Sequence, residues 1–193
     1  MGKQASPFRY GFKTEASGLA SEVRQELGLT SLERLDPWQL AGHLEIPVVA
    51  LSDLAGDHAA IRHLLNVEPE AFSAATVFCG VQRTIVHNDG HSLQRQHSNL
   101  THELAHGLLM HPPKPALDTL GCRDWDPAIE AEADWLAGEL LVTKEAAMQV
   151  ALGKWTEQGA ALKLGVSTDM IRFRVNMTGA RKIVQRAAAR KAG

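Results

Sequence analysis

Apolar residues recur at helical spacing in several segments of this chain. The amphipathic helices that this spacing predicts lie at residues 14–28, 36–44, 96–111 and 127–141. The second helix has a clear start, because Asp36 is a favourable N-cap and Pro37 suits the first helical position. Gly28 and Pro112 mark the ends of the first and the third helix. Shorter helices are expected in the last quarter of the chain.

Three short segments have the composition of β-strands. They lie at residues 46–51, 74–78 and 84–86. The last two flank Gly80, so a small antiparallel sheet is predicted. Because strands and helices mix in the front half and helices fill the back half, the predicted fold class is α+β. We expect one domain in residues 1–150 and a helical C-terminal appendage in residues 151–193.

The composition is that of a globular protein. The chain has 193 residues, of which 45% are hydrophobic, and a formal net charge of −2, which excludes a disordered chain. No apolar run approaches the roughly 20 residues that a membrane helix needs, and the first residues lack the apolar stretch of a secretory signal. Two cysteines, Cys79 and Cys122, are too few for a disulfide framework. We therefore expect a cytoplasmic protein with no membrane partner.

Positive charge is concentrated at the C-terminal end. All 22 acidic residues precede residue 170, whereas residues 170–193 contain seven Lys and Arg and no acid. The pattern at residues 157–179 also predicts two helices around Gly165, with Arg172 and Arg174 in the second helix. Two alternatives fit this segment: a helix-turn-helix that binds nucleic acid, or a helical appendage that packs on the preceding domain.

The most informative motif is His-Glu-x-x-His at residues 102–106. His102 and His106 are separated by four residues, so in a helix both side chains project from one face and can share one ion. Neutral imidazoles suit Zn²⁺, and a catalytic zinc has three protein ligands and a water. Glu103 lies about 100° around the helix from His102 and can serve as the general base.

A third ligand is expected from the helix at residues 127–141. Glu130 shares its face with Ala137 and Leu141, as expected where this helix packs on the first. Glu132 is the less favoured alternative, because it shares the opposite face with Glu139, which we expect to face solvent. Asp134 follows Glu130 by one turn and is placed to accept a hydrogen bond from the second nitrogen of a ligand histidine.

Two stretches of the chain resemble the ImmA/IrrE family of zinc metallopeptidases. They are His-Glu-Leu-Ala-His at residues 102–106 and Glu-Ala-Glu-Ala-Asp-Trp-Leu-Ala-Gly-Glu-Leu-Leu at residues 130–141, and the likeness extends over roughly residues 40–145. The chain departs from the family pattern at residues 142–143, where Met-Pro is usual, and at Asp134 and Leu136, where Asn and Phe are more usual.

The resemblance implies a gluzincin-like domain of helices around a small sheet. It places the zinc ligands at His102, His106 and Glu130, and the catalytic glutamate at Glu103. Members of the family typically cleave a helix-turn-helix repressor and so derepress stress, phage or defence genes. We therefore expect a zinc endopeptidase with such a repressor as its protein substrate. The alternative is a DNA- or repressor-binding regulatory module with a vestigial peptidase site.

Two further roles are hypotheses from position alone. Cys122 lies between the two ligand-bearing helices, and as a thiolate it could be a regulatory fourth ligand of the zinc. The histidines nearest in sequence to the motif could include a donor that stabilises the oxyanion of the reaction. These histidines are His87, His91, His97 and His111.

Overall fold

The computed structural model describes residues 7–54, 58–112 and 126–192 of the chain. The helices in these ranges are α1 (Phe12–Glu26), α2 (Pro37–His43), α3 (Ala59–Asn66), α4 (Leu93–Leu108), α5 (Pro127–Leu141), α6 (Lys144–Ala151), α7 (Glu157–Leu164), α8 (Thr168–Met177) and α9 (Ala180–Ala192). The strands are β1 (Val48–Ala50), β2 (Ala74–Cys79) and β3 (Gln82–His87). The predicted α+β class is confirmed.

Local sequence signals account for the starts of α2 and α5. Asp36 caps α2 as predicted, since its Oδ1 accepts a hydrogen bond of 2.9 Å from the backbone N–H of Trp38. Asp126 caps α5 in the same way and sets its start at Pro127. Helix α4 begins and ends about three residues before the predicted range. In the described parts of the chain, no helix combines the length and apolar character needed to cross a bilayer.

Within the described ranges, the sheet has three strands in the order β1-β3-β2. Strands β2 and β3 form the predicted antiparallel hairpin, with Ala74 opposite His87 and Cys79 opposite Gln82. Strand β1 instead runs parallel to β3, so the sheet is mixed, with one antiparallel and one parallel pair. The reason is topological: a long segment with α3 follows β1, and it returns the chain so that β3 lies between the other two strands.

The hydrophobic core lies between helices α1, α4 and α5 and one face of the sheet. Leu100 and Leu104 of α4 and Leu136 and Leu140 of α5 are fully buried. Helix α1 packs on α5 and buries Phe12 in the same core. The two helices that carry the His-Glu-x-x-His motif and the candidate third ligand therefore pack directly on each other.

The C-terminal helices share this core. Ile171 and Val175 of α8 are fully buried, and Arg174 between them is buried against Glu139 of α5. Glu139 is thus interior, and the expectation that it faces solvent was wrong, because its partner comes from a helix distant in sequence. The division of the chain near residue 150 stays a prediction.

Candidate metal centre

Helix α4 presents two histidines towards helix α5. His102 and His106 lie one turn apart on the same side of α4. Leu100 and Leu104 lie on the opposite side of α4 and are fully buried, which fixes the rotation of the helix. The two imidazoles are consequently half-buried, with 24% and 22% of their side chains exposed.

The donor atoms of three side chains converge on one point. His102 Nε2 and His106 Nε2 are 3.0 Å apart, and Glu130 Oε2 lies 3.2 Å from the first and 3.6 Å from the second. Two ligands of a tetrahedral zinc with bonds of about 2.0–2.1 Å are separated by about 3.3 Å. Two imidazoles and one carboxylate are also the donor set of many catalytic zinc sites. These residues therefore fit a zinc ion.

Asp134 lies on the far side of the His102 ring. Its Oδ1 is 2.8 Å from His102 Nδ1, so this nitrogen can donate to Asp134 while Nε2 points at Glu130. Burial opposes the charged form of His102, but the hydrogen bonds to Asp134 and Glu130 outweigh it and raise the pKa of His102 to about 9. Burial, together with the neighbouring His102, lowers the pKa of His106.

Glu103 lies on the adjoining face of α4, next to strand β2. The hydroxyl of Thr76 in β2 donates a hydrogen bond of 2.6 Å to Glu103 Oε2. This contact orients the carboxylate and occupies one of its oxygens. No sequence pattern indicates this contact, because Thr76 belongs to a strand whose position against α4 is a tertiary feature.

Glu132 is neither solvent-exposed nor grouped with the three metal donors. Only 12% of its side chain is exposed, and its carboxylate lies 3.6 Å from His111 Nε2 and 3.4 Å from Arg9 Nε. The expectation that Glu132 faces solvent was wrong, since Arg9 and His111 both come from outside α5. Of the two candidate third ligands, Glu130 is the one beside His102 and His106.

Two of the other histidines near the motif, His91 and His97, contact backbone carbonyls. His91 Nε2 lies 2.8 Å from the carbonyl of Pro69, and His97 Nδ1 lies 2.8 Å from the carbonyl of Gly165. Burial lowers the pKa values of both His87 and His97. Cys122, the candidate fourth ligand, lies outside the described residues, and its role stays a hypothesis.

A cavity of about 570 Å³ lies at the end of α4 beyond the histidines. Gly107 lines it and follows Glu103 by one turn on the same face of the helix. Arg83 of β3 lies directly over Gly107, where an added Cβ would meet its guanidinium, and it stacks over Phe78 at 5.6 Å. The cavity therefore opens one helical turn from Glu103.

An α+β fold in which two helices bring two histidines and a glutamate together, with a further glutamate alongside, is the arrangement of a metal-dependent peptidase. The family model described as the IrrE N-terminal-like domain, peptidase M78, matches residues 40–176. The match covers more than two thirds of the chain, and the chain belongs to this metallopeptidase family. A search of curated proteins finds no match to the sequence.

Proposed function

We propose that this protein is a zinc-dependent endopeptidase that cleaves a specific protein partner, a helix-turn-helix transcriptional repressor. The observation that carries the proposal is the convergence of His102, His106 and Glu130 at the spacing of tetrahedral zinc ligands. Glu103 on the next face of α4 supplies the acid–base group that peptide hydrolysis needs. Membership of a metallopeptidase family supports the same conclusion.

The ligands would be His102 Nε2, His106 Nε2 and Glu130 Oε2. Zinc bound there would supply Lewis acidity and would lower the pKa of a coordinated water. Glu103 takes a proton from the attacking water and passes it to the amine of the leaving peptide. Thr76 holds Glu103 Oε2, which leaves Oε1 to carry this proton. Asp134 holds the His102 ring through Nδ1.

The sheet and the cavity support a polypeptide substrate. Within the described sheet, β2 is an edge strand, and an extended peptide can add to such an edge through main-chain hydrogen bonds. Thr76 of β2 touches Glu103, so a peptide on this edge would pass the general base. The cavity beside Gly107 and Arg83 has room for a substrate side chain.

The choice of a repressor as substrate rests on the resemblance to the ImmA/IrrE family. Helix α8 does not favour the alternative, a DNA-binding module, because its arginines are paired with carboxylates of the protein itself. Arg174 of this helix is buried against Glu139, and Arg172 forms ion pairs with Glu157 and Asp169. In α9, Arg181 also forms an ion pair with Glu157, whereas Lys182, Arg186 and Arg190 are further basic residues that an anion could contact.

The test is cleavage of a helix-turn-helix repressor encoded beside this protein. Purified zinc-loaded protein should cut it at a defined bond, and Glu103→Gln should retain zinc and lose at least 10²-fold in rate, the least that general acid–base catalysis typically contributes (~10²–10⁴-fold). Glu22→Gln, the same change at an exposed position of α1, is the matched control and should cleave normally. Unchanged cleavage by the Glu103 variant would refute the assignment.

A further inference from the structure

The second candidate ligand, His106, contacts another histidine through Nδ1, the ring nitrogen that faces away from Glu130. His106 Nδ1 lies 2.9 Å from His111 Nδ1, and the two rings meet edge to face with centroids 5.0 Å apart. Nδ1 of His102 is hydrogen-bonded to Asp134 in the same way. Both histidines thus direct Nε2 towards Glu130 and direct Nδ1 to a supporting side chain.

The end of α4 places His111 beside His106. Met110 has a positive φ of 52° just after the helix, which is the left-handed conformation of a Schellman cap. Its N–H bonds to the carbonyl of Gly107, and the N–H of His111 bonds back to the carbonyl of His106. This motif brings its last residue back against the third residue from the helix end. Here those two residues are His111 and His106.

The other nitrogen of His111 points at a carboxylate. His111 Nε2 is buried, makes no hydrogen bond within 3.5 Å to any described side chain or backbone group, and has Glu132 Oε2 at 3.6 Å. Arg9 Nε lies 3.4 Å from the same carboxylate and helps to fix it. A continuous polar network therefore runs from Arg9 through Glu132 and His111 to His106.

The ring protons of the two histidines in this polar network can be placed in one consistent way. When His106 Nε2 is a metal ligand, the neutral ring carries its proton on Nδ1 and must donate it. His111 Nδ1 then has to accept, so the proton of His111 is on Nε2. Glu132 favours that tautomer, because a carboxylate attracts an N–H donor.

We propose that His111, held by Glu132, is a positioning residue that orients His106 for metal binding, as Asp134 orients His102. This inference rests on the proposed metal site. Polar partners of metal-bound histidines fix the tautomer and ring orientation, and their loss lowers metal affinity by about 10–100-fold. Two glutamates of α5 would then serve the same site. Glu130 would bind the metal, and Glu132 would hold His111, which in turn orients His106.

The test measures zinc affinity by competition with a chelator. His111→Ala should bind zinc about 10–100-fold more weakly than the parent protein. His111→Asn should recover part of this loss, because its Oδ1 can accept the proton of His106 Nδ1. Glu132→Gln should give a smaller loss. The exposed pair of His43 and Glu26, 2.9 Å apart, provides matched controls: His43→Ala and Glu26→Gln should leave zinc affinity unchanged.

Cobalt substitution gives a second measurement that does not depend on activity. The visible absorption of Co²⁺ in His111→Ala should shift relative to the parent protein, and the spectrum of His111→Asn should lie nearer the parent. Unchanged zinc affinity in His111→Ala, or an equal loss in the Ala and Asn variants, would overturn the inference. A parent protein that binds no zinc would overturn both the inference and the metal site. Zinc binding without repressor cleavage would overturn only the proposed activity.

Discussion

The hydroxyl of Thr76 determines how the carboxylate of Glu103 is held. A hydrogen bond to a charged group is worth about 1.5–3 kcal/mol, enough to select one orientation of a side chain on a helix surface. Thr76 comes from β2 and Glu103 from α4, so the proposed general base is fixed from outside its own helix. Its alignment can therefore be changed without a change in the metal ligands.

Thr76→Val should separate catalysis from metal binding. The isosteric change removes the hydrogen bond, and a loss of about 1.4 kcal/mol in transition-state stabilisation lowers the rate about tenfold. Zinc affinity should not change, because Thr76 touches none of the three donors. Repressor cleavage and chelator competition measure the two quantities, with Thr14→Val, at an exposed position of α1, as the control. A tenfold loss of zinc affinity in Thr76→Val would contradict this role.

His97 should make stability depend on pH. Its ring bonds to the carbonyl of Gly165 and to Arg34, and burial, with the charge of Arg34, lowers the pKa of His97 below its ordinary value of 6.5. The unfolded chain therefore binds a proton at His97 more readily than the folded protein does. The stability that neutral His97 contributes is present above pH 6.5 and is lost as the pH falls through the folded-state pKa of His97.

The measurement is the free energy of unfolding in urea at pH 7.5 and pH 5. The decrease towards pH 5 should be smaller in His97→Gln than in the parent protein, because the variant has no imidazole to protonate at this position. Exposed His43→Gln provides the comparison and should retain the decrease of the parent. Equal decreases in all three proteins would show that His97 does not contribute.

At the scale of elements, two buried arginines hold the C-terminal end of α5. Arg24 of α1 donates to the carbonyl of Leu140, and Arg174 of α8 donates to the carbonyl of Val142 and to Glu139. Cations are favourable at this end of a helix dipole. Gly138 makes room for the second arginine, because a Cβ there would lie 2.8 Å from Arg174 Cδ. The helix that carries Glu130 is therefore fixed from both sides.

Arg174→Met should destabilise the fold by about 3–5 kcal/mol, the cost of leaving a buried charge without its partner. The affected charge is that of Glu139, of which 6% of the side chain is exposed. The double variant Arg174→Met/Glu139→Leu should recover most of the loss, since it removes both charges. Urea unfolding measures each value. Arg172→Met, at an exposed position, should lower the free energy of unfolding by less than about 1 kcal/mol. Equal losses in Arg174→Met and Arg172→Met would contradict the argument.

At the scale of the whole molecule, one core joins the helices before and after residue 150. Buried residues of α7 and α8 belong to the same hydrophobic cluster as those of α1, α4 and α5. The family match also continues through residue 176, into α8. Helix α5 therefore contacts α8 directly, and α4 contacts the end of α7 through His97 and the carbonyl of Gly165.

A chain that ends after residue 151 should consequently fail to fold cooperatively. It would lack Ile171, Arg174 and Val175, which are fully buried, and would expose the part of the hydrophobic core that α7 and α8 complete. Thermal unfolding followed by circular dichroism should show no sharp transition. A chain that ends after residue 184 keeps these residues and should unfold cooperatively. A sharp transition in the shorter chain would instead support an independent domain in residues 1–150.

Features that depend on local geometry could be predicted from the order of the residues. The four-residue spacing of His102 and His106 requires one face of a helix, and the same rule selected Glu130 and Asp134 on the next helix. Asp36 and Pro37 marked a helix start for an equally local reason. The pairing of the two histidines and the start of α2 needed no knowledge of which elements meet, whereas the choice of Glu130 also assumed that its helix packs on the first.

Contacts between side chains of distant segments could not be predicted in this way, because they depend on how the elements pack. Thr76 lies on Glu103, His111 lies between His106 and Glu132, and Arg174 neutralises Glu139. Helical periodicity placed Glu132 and Glu139 on a solvent face because it contains no information about the helices packed there. The parallel pairing of β1 with β3 depended likewise on the path of the chain between them. Burial and partner choice are properties of packing, and packing joins residues that the sequence keeps far apart.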